Sequence, residues 1–572
     1  MLIIRSKIPL IISTVTLLSV GCSSVTEQKA SVFSKEEQLI KSKLRLQLRG
    51  NQETALNKKS LFKDVTEQWL PDKIDAQKIY LVDLNDDNQI DLVTLEEKYS
   101  SPNVFFKNKD SNRFNKTTKP LFPKGFHSSY FYFDDFNRDK IIDLYAGQFF
   151  LNVQYSVPAS QLLLGQKKNR SKLNFRFHLD TASSPMPQST VQVIDIDLDG
   201  SLEFIQPYWI EKLNGFNKFY PLNIFSMKRE SFNVADKGKL IIKKGSPVWG
   251  SELCDVNNDN NIDVLIANTS GHENLLLQKN GKVFESGHIK YSRILKDENG
   301  GAQLLGNGNT FGYLCGDFDN DGLFDLISFE EKRELQDATR DPIRIHYQQK
   351  PSEKNYPFIS QNFPLGKKNY SIKRVIDFDM DNDGDIDLLL EDSGYPPYSK
   401  LLLFENIGGE FRDITLDSGL LITNPSGVNV GDFDQDGTLE VIVGQSKVRS
   451  SNLSGEVKIF KNTVNNNHHS IGLFLQAENA NPSGVGAIIE IRGKKQYQKH
   501  LVNYQRGGTN GQRSRFIHFG LGEDKEIEIS VRWPNKEGEA IKYLYKFDSG
   551  QIFAQLSICE SGQLLVGYKA CD

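Results

Sequence analysis

Short apolar runs alternate with acidic turns through the middle of the chain. A unit has one apolar run before the turn and another after it, such as 388–390 or 441–443. A third run follows, for example at 401–406, and then a fourth, for example at 411–415. Short runs of aliphatic and β-branched residues are typical of buried strands. The pattern therefore predicts four strands in each unit, with the acidic turn between the first and second strands.

The acidic turn occurs seven times with the same spacing of polar residues. In the sixth copy, which begins at Asp379, acids stand at positions 1, 3, 5 and 9, Gly384 stands at position 6, and an aliphatic run follows. The residues at the four positions, copy by copy, are Asp83, Asn85, Asp87 and Asp91; Asp135, Asn137, Asp139 and Asp143; Asp195, Asp197, Asp199 and Glu203; Asp255, Asn257, Asp259 and Asp263; Asp317, Asp319, Asp321 and Asp325; Asp379, Asp381, Asp383 and Asp387; and Asp432, Asp434, Asp436 and Glu440.

The spacing of the turns predicts the architecture. They begin at residues 83, 135, 195, 255, 317, 379 and 432, so successive starts are 52, 60, 60, 62, 62 and 53 residues apart. Near-constant spacing indicates a repeat protein. Four strands per unit in seven units predict an all-β fold, a seven-bladed β-propeller over 61–463, and a solenoid is the alternative.

A displaced strand predicts how such a ring closes. The seventh unit has its third run at 457–462 but lacks the fourth, and a matching run, Phe62-Lys63-Asp64-Val65-Thr66, stands before the first unit. We expect this N-terminal strand to complete the last blade, because closure removes an exposed strand edge.

The turns have the chemistry of calcium sites. Oxygen ligands spaced by two residues converge on one point, and Ca²⁺ prefers such ligands. Clustered carboxylates repel one another strongly without a cation. The sequence therefore predicts up to seven structural Ca²⁺ ions. No copy has a carboxylate at position 12, and strand-forming runs follow every turn, so EF-hand and dockerin-like sites are excluded.

Position 6 of the turn predicts differences among the copies. A positive φ is expected there, which Gly adopts freely and which Asn88 and Asn260 tolerate. The second turn has Lys140 at this position, so we expect it to bind calcium most weakly.

The repeats resemble the FG-GAP/VCBS family, which is known from integrin α-chain propellers and bacterial secreted proteins. The family motif is matched by Gly431-Asp432-Phe433-Asp434-Gln435-Asp436-Gly437 and Gly316-Asp317-Phe318-Asp319-Asn320-Asp321-Gly322. Phe311-Gly312 is the Phe-Gly pair from which the family takes its name. The resemblance covers most of 61–463 and implies a propeller with calcium in its loops.

Composition changes after about residue 464, where the repeat stops. The region 464–558 contains Pro482-Ser483-Gly484-Val485-Gly486-Ala487, His518-Phe519-Gly520-Leu521-Gly522 and Val531-Arg532-Trp533-Pro534-Asn535. These segments resemble the ASPIC/UnbV module, which follows FG-GAP propellers in the cartilage acidic protein family and its bacterial relatives. The resemblance implies a small β-rich module and carries no defined activity.

The N-terminus predicts export and lipid anchoring. Residues 1–22 have a basic start, an apolar run too short to span a bilayer, and the sequence Leu18-Ser19-Val20-Gly21-Cys22. This ending resembles a bacterial lipobox, which would make Cys22 a lipidated N-terminus; ordinary cleavage nearby is the alternative. Ser23 resembles the signal for outer-membrane sorting, and the polar residues 23–60 are expected to form a tether.

The other four cysteines fall into two pairs. Cys559 and Cys571 bracket most of the tail 559–572, and an exported chain can oxidise them to a disulfide. Cys254 and Cys315 precede neighbouring turns but are offset by one residue, so their side chains are expected to face opposite ways. We expect these two to be buried thiols.

Candidate catalytic residues are few. His518 is expected to pack in the β module, and His468-His469 to form a polar linker pair. Arg506, Arg513 and Arg515 are expected to form a solvated basic loop, with an anion-binding patch as the alternative. The sequence has no nucleophile elbow, zinc-protease helix or phosphate loop.

Two function classes remain after these observations. The net charge of −4 with 25% charged residues gives no case for nucleic-acid binding. A non-enzymatic binding or adhesion module, which displays loops to a protein or glycan at the bacterial cell surface, is favoured. The alternative is an enzyme of the polysaccharide-lyase type with a site in the propeller channel.

Overall fold

The computed structural model describes residues 60–96, 100–149, 159–168, 172–180, 187–209, 211–213, 216–218, 223–228, 231–234, 248–268, 274–279, 283–286, 310–330, 343–350, 358–365, 370–392, 399–445, 455–508 and 511–571. Within them the fold is all-β, apart from two one-turn helices, α1 (Thr66–Trp69) and α2 (Thr415–Ser418). Cys22 and residues 23–59 of the predicted tether lie outside these residues. No helix among them has the length and hydropathy needed to cross a bilayer.

Seven small antiparallel sheets follow one another along the chain, and each predicted turn joins the first two strands of one of them. We number them repeat sheets one to seven. Strand β1 (Phe62–Asp64) precedes them. Sheets one to three contain β2 (Lys78–Val82), β3 (Asp91–Leu95), β4 (Asn103–Lys107) and β5 (Phe114–Lys116); β6 (Tyr130–Asp134), β7 (Asp143–Gly147), β8 (Gln161–Lys168) and β9 (Lys172–Asp180); and β10 (Gln192–Ile194), β11 (Glu203–Gln206), β14 (Asn223–Lys228) and β15 (Ser231–Val234). A separate hairpin, β12 (Glu211–Leu213) and β13 (Phe216–Lys218), lies within the third unit.

Sheets four to seven repeat this order. They contain β16 (Val248–Cys254), β17 (Asp263–Asn268), β18 (Asn274–Lys279) and β19 (Val283–Ser286); β20 (Thr310–Gly316), β21 (Asp325–Glu330), β22 (Ile343–Gln348) and β23 (Phe358–Asn362); β24 (Ile372–Phe378), β25 (Asp387–Asp392), β26 (Leu401–Ile407) and β27 (Glu410–Asp413); and β28 (Pro425–Gly431), β29 (Glu440–Gln445) and β30 (Lys458–Asn462) with β1.

The seventh sheet takes its fourth strand from the N-terminus, as the sequence predicted. Strand β1 pairs antiparallel with β30, and Phe62 lies opposite Asn462. Sheet seven also packs against sheet one: the rings of Phe433 and Phe114 are 5.7 Å apart, and Asn429 Nδ2 donates to Ile79 O at 3.2 Å. The first and last repeat sheets are therefore neighbours.

Two further sheets form the C-terminal module. One contains β35 (Ile517–Gly522), β31 (His469–Gln476), β38 (Phe553–Cys559) and β39 (Leu564–Val566), and the other contains β33 (Tyr497–Leu501), β32 (Ile488–Arg492), β36 (Glu526–Arg532) and β37 (Ala540–Lys546). A short strand, β34 (Gly511–Gln512), leaves the module and pairs parallel with β2 of sheet one. The apolar core of the module, including Trp533, is continuous with that of sheets two to five.

The predicted disulfide of the tail, Cys559–Cys571, is present. The prediction of free thiols at Cys254 and Cys315 is wrong, because these residues form a second disulfide. They lie on the first strands of sheets four and five, with Cα atoms 5.7 Å apart. Strand alternation fixes which face of its own sheet a side chain occupies. Neighbouring repeat sheets pack face to face, so side chains on opposite faces of successive sheets can meet.

Candidate metal centres

All seven predicted turns share one hydrogen-bonding pattern, which begins at position 1. Its carboxylate accepts the backbone N–H of position 5 on one oxygen and the N–H of position 6 on the other. In the sixth turn Asp379 accepts Asp383 N at 3.1 Å and Gly384 N at 2.8 Å. The same two bonds occur in the other six turns. The loop is thus folded around its first acid.

The acids at positions 5 and 9 complete the frame. In the sixth turn Asp383 Oδ1 accepts Asp385 N at 3.0 Å, and Asp387 Oδ2 accepts Met380 N at 2.9 Å. Corresponding bonds occur in all six of the remaining turns. Each acid keeps further lone pairs, because an ionised carboxylate has about four acceptor sites. The backbone therefore orients the acids and leaves them able to bind a cation.

Two backbone positions in every turn are left-handed. Position 6 has the predicted positive φ in all seven turns, including 65° at Lys140. Position 4 also has a positive φ in all seven, which the sequence analysis missed; its residues are Asp86, Arg138, Leu198, Asn258, Asn320, Asn382 and Gln435. Asn at three of these positions was the available signal, because Asn adopts this conformation more readily than most residues.

Acidic groups converge most closely in four of the turns. Three carboxylates whose ligand atoms all lie within 4.8 Å of one another occur among the described residues in the third, fifth, sixth and seventh turns; they are Asp195, Asp197 and Asp199; Asp317, Asp319 and Asp325; Asp379, Asp381 and Asp387; and Asp432, Asp434 and Glu440. The first, second and fourth turns have Asn85, Asn137 and Asn257 at position 3. An amide oxygen there supplies a neutral ligand in place of a charged one.

Burial and mutual repulsion disfavour the charged acids. Burial, followed by the neighbouring acids, raises the pKa of Asp143 to about 8 and that of Glu203 to about 9. The same two causes raise the pKa of Asp432 to about 8. A bound cation would reverse this effect, because a nearby positive charge favours the ionised form.

The donor set fits Ca²⁺. Buried oxygens without a hydrogen-bond partner include Asn85 Oδ1 in the first turn and Asp434 Oδ1 and Glu440 Oε1 in the seventh. The donors are hard oxygens, which Ca²⁺ prefers as ligands. The residues at positions 1, 3, 5 and 9 would hold the ion, and its charge would offset their repulsion. The weaker binding expected of the second turn stays a prediction.

A basic segment of the module passes between the repeat sheets. This inserted segment, 503–508 and 511–515, contacts the first strand of all seven repeat sheets; the partner residues are Ile79, Phe133, Gln192, Glu252, Cys315, Val375 and Asn429. Gly507 and Gly511 allow this approach, because a Cβ on either would collide with a backbone carbonyl of β24 or β2. The contact of one segment with all seven repeat sheets could not be predicted from the spacing of the turns in the sequence.

The arginines of the inserted segment pair with buried acids of the chain, and the side chains of Arg506, Arg513 and Arg515 are 2%, 16% and 25% exposed, so the prediction of a solvated basic loop is wrong. Asp377 lies 2.9 Å from Arg506 and 2.7 Å from Arg513, and Arg515 pairs with the buried Asp134. Burial alone would raise the pKa of Asp377, but the two guanidinium groups hold it at about 2. The alternative prediction was a patch that binds an external anion. In the structure, acids of the chain itself occupy the arginines.

The module also covers the acidic turns. His518 Nε2 lies 3.0 Å from Gly437 O in the seventh turn, and Gln496 Nε2 donates to Asp383 O in the sixth. Lys499 Nζ donates to Gly322 O in the fifth turn at 3.2 Å. Burial is the main cause that lowers the pKa of His518 to about 4. This histidine is therefore a neutral packing residue at the interface.

A cleft of 530 Å³ lies between the third and fourth turns and the module. Its lining includes Asp197 and Asp259 from the turns and Arg532, Pro534 and Lys536 from the module. The volume lies within the range of about 300–1,000 Å³ that is typical of ligand sites.

Comparison with known proteins identifies both regions. Residues 83–146 and 379–443 match the family model of the FG-GAP-like repeat, and residues 477–547 match that of ASPIC and UnbV. No curated protein sequence matches the chain.

Solved structures give weaker similarities. The Vibrio cholerae biofilm matrix protein Bap1 is 9% identical, with 71% of this chain and 91% of that chain covered and a TM-score of 0.34. The BP39L lectin from Burkholderia pseudomallei is 11% identical, with 68% and 98% covered and a TM-score of 0.40. The extracellular domain of the putative one component system BT4673 from B. thetaiotaomicron is 7% identical, with 86% and 59% covered and a TM-score of 0.38. TM-scores this low carry no argument about function.

Proposed function

We propose that this chain, which carries FG-GAP-like repeats and a C-terminal ASPIC/UnbV domain, is an exported, calcium-stabilised β-propeller lipoprotein that binds a protein or glycan at the cell envelope without catalysing a reaction. The donor pattern shared by the seven turns carries the proposal. Its parts are a closed ring, structural calcium, a ligand surface outside the channel, and a lipid anchor.

The closed seven-bladed ring is supported by two sets of contacts. Sheet seven borrows β1 from the N-terminus and packs against sheet one. One inserted segment touches the first strand of each of the seven sheets. A single short segment can reach seven successive sheets only if they surround it. The inserted segment would then fill the central channel of the propeller.

Structural calcium follows from the chemistry of the turns. Their acids are held in place by the backbone, and burial and repulsion disfavour their charged state. A Ca²⁺ ion in each turn would remove the repulsion and fix a hairpin at the edge of its blade.

The filled channel favours binding over catalysis. A lyase would need a free base and cationic groups around the substrate. The basic residues that gather between the sheets, Arg506, Arg513 and Arg515, are paired with carboxylates of the chain. The cleft beside the third and fourth turns is the better candidate for the ligand, because charged groups of both signs line it.

Envelope localisation depends on the N-terminus, which lies outside the described residues. The 38 residues between Cys22 and Leu61 would let the propeller stand away from the membrane on a lipidated Cys22. We expect Cys22→Ala to abolish lipid labelling and to release the folded protein from the membrane fraction. A variant that stays membrane-bound after a carbonate wash would contradict the lipid anchor.

A melting experiment tests structural calcium. A ligand that binds only the folded state adds about 2.7 kcal/mol per site at a hundredfold excess over its Kd. The Tm of the wild type should therefore be much higher in millimolar Ca²⁺ than after chelation. Asp381→Ala removes one position-3 ligand and should reduce this difference, whereas Glu67→Gln, an exposed acid outside the turns, should not. Equal midpoints with and without Ca²⁺ would refute the role.

A glycan array tests the binding part of the proposal. Binding to an arrayed glycan should weaken in Lys536→Gln, because this exposed lysine lines the cleft. Release of product from the same glycan in a substrate screen would instead establish the lyase-type alternative.

A further inference from the structure

The seventh turn contains an ammonium group of the chain itself. Lys461 lies on β30, and its Nζ donates to Asp434 Oδ2 and, at 2.9 Å, to Asp436 Oδ2. These acids occupy positions 3 and 5 of the turn. Burial alone would lower the pKa of Lys461, but the two acids raise it above its usual value. Ligand oxygens of this turn are therefore already neutralised by a fixed positive charge.

The strand register explains how Lys461 reaches the turn. Val441 pairs with Phe460, so Lys461 stands opposite Glu440, at position 9 of the turn. Opposed residues of an antiparallel pair lie on the same face, so Lys461 extends over the acids. The residues at this register in other described repeats are Phe106, Leu164, Ser226, Tyr347 and Glu405. None of them is basic.

The seventh turn also lies where the last repeat sheet meets the first. Gln435 Nε2 donates to Asn88 O of the first turn at 3.0 Å. Lys107 of sheet one is 5% exposed, and the charges of Asp434, Asp432 and Glu440 partly oppose the lowering of its pKa by burial. The turn that contains Lys461 therefore lies at the contact between the last and the first repeat sheets.

We infer that Lys461 is a built-in counter-ion that stabilises the seventh turn in the absence of calcium and that Ca²⁺ must displace when it binds there. The inference rests on the proposed calcium binding of the other turns. Asp434 Oδ1 and Glu440 Oε1 have no hydrogen-bond partner, so the turn keeps donors for an incoming ion. The seam between sheets seven and one then stays closed at calcium concentrations that empty the other turns.

The test compares Lys461→Met with Lys458→Met in the full chain. Lys458 is on the same strand but lies near Asp64 and Glu456, outside the turn. Lys461→Arg keeps the charge and should behave as the wild type. After chelation Lys461→Met should melt several degrees below Lys458→Met, and millimolar Ca²⁺ should abolish this difference.

Terbium luminescence measures the site directly. The ring centre of Trp69 is 5.8 Å from Lys461 Nζ, so Tb³⁺ in the seventh turn should be sensitised through this side chain. The part of the Tb³⁺ luminescence that is lost in Trp69→Phe therefore measures Tb³⁺ binding at the seventh turn. Its Tb³⁺ affinity should rise about tenfold in Lys461→Met, because a neighbouring like charge is worth at least about one unit of log affinity.

The outcomes separate the inference from the calcium proposal. If Ca²⁺ raises the Tm of the wild type but Lys461→Met matches Lys458→Met in melting and in Tb³⁺ affinity, the counter-ion role is refuted and structural calcium stands. If Ca²⁺ leaves the wild type unchanged while chelated Lys461→Met is destabilised, structural calcium and the displacement of Lys461 by Ca²⁺ are refuted, and only the stabilising ion pair of Lys461 stands.

Discussion

His346 should make the protein sensitive to mild acid. This histidine is fully buried on β22, with Nε2 2.9 Å from Ser328 Oγ and Nδ1 2.7 Å from Ser360 Oγ. Burial, and then the charge of Arg344, lowers its pKa to about 3. The unfolded chain binds a proton near pH 6.5, whereas the folded chain does not. The contribution of the neutral, buried His346 to stability is therefore full above pH 6.5 and is lost as the pH falls towards 3.

The size of the effect follows from the two pKa values. At pH 5 the difference in proton binding costs the folded state about 2 kcal/mol, and at pH 7.5 it costs almost nothing. His346→Gln cannot titrate and keeps groups that can hydrogen-bond to the two serines. Whatever the substitution costs at pH 7.5, its cost at pH 5 should be smaller by about 2 kcal/mol.

Urea unfolding at pH 7.5 and pH 5 measures this difference. Saturating Ca²⁺ in both buffers keeps the acidic turns in one state. Leu389→Val, a buried substitution without a titratable group, should cost the same at both pH values. If His346→Gln also costs the same at both, the buried histidine does not remain neutral and the reasoning is refuted.

Three other perturbations test the ion pairs, the turns and the seam. Asp377→Asn leaves Arg506 and Arg513 without their carboxylate and should cost about 3–5 kcal/mol in urea unfolding, and a loss below 1 kcal/mol would contradict the buried pair. Lys140→Gly relieves a φ of 65° and should raise stability by up to about 1 kcal/mol, which a Tm below that of the wild type would contradict. Deletion of 61–66 exposes the edge of β30 and should cause aggregation in size-exclusion chromatography, whereas a monomer with an unchanged melt would argue against closure by β1.

The repeat sheets and their turns could be predicted because local sequence determines them. A turn such as 379–387 folds around its own first acid, and the strand after it follows from the apolar run 388–390. The N-terminal closing strand was also predictable, because the missing fourth run of the last unit had a matching segment before the first. Each of these features depends on residues that are close in sequence or on a repeated pattern.

Contacts between distant elements depended on the tertiary structure. The alternation rule placed Cys254 and Cys315 on opposite faces, yet packing of one sheet on the next brings them together as a disulfide. The arginines of 506–515 have the composition of an exposed loop, and only the packing of this segment against β24 supplies the buried partner Asp377.

Lys461 shows the same division at a single site. The sequence determined that seven turns repeat a spacing of acids that suits a hard cation, because the spacing of acids within nine residues is local chemistry. Only the pairing of β29 with β30 decided that Lys461 lies against the acids of the seventh turn, since strand register brings together residues 25 and 27 positions apart.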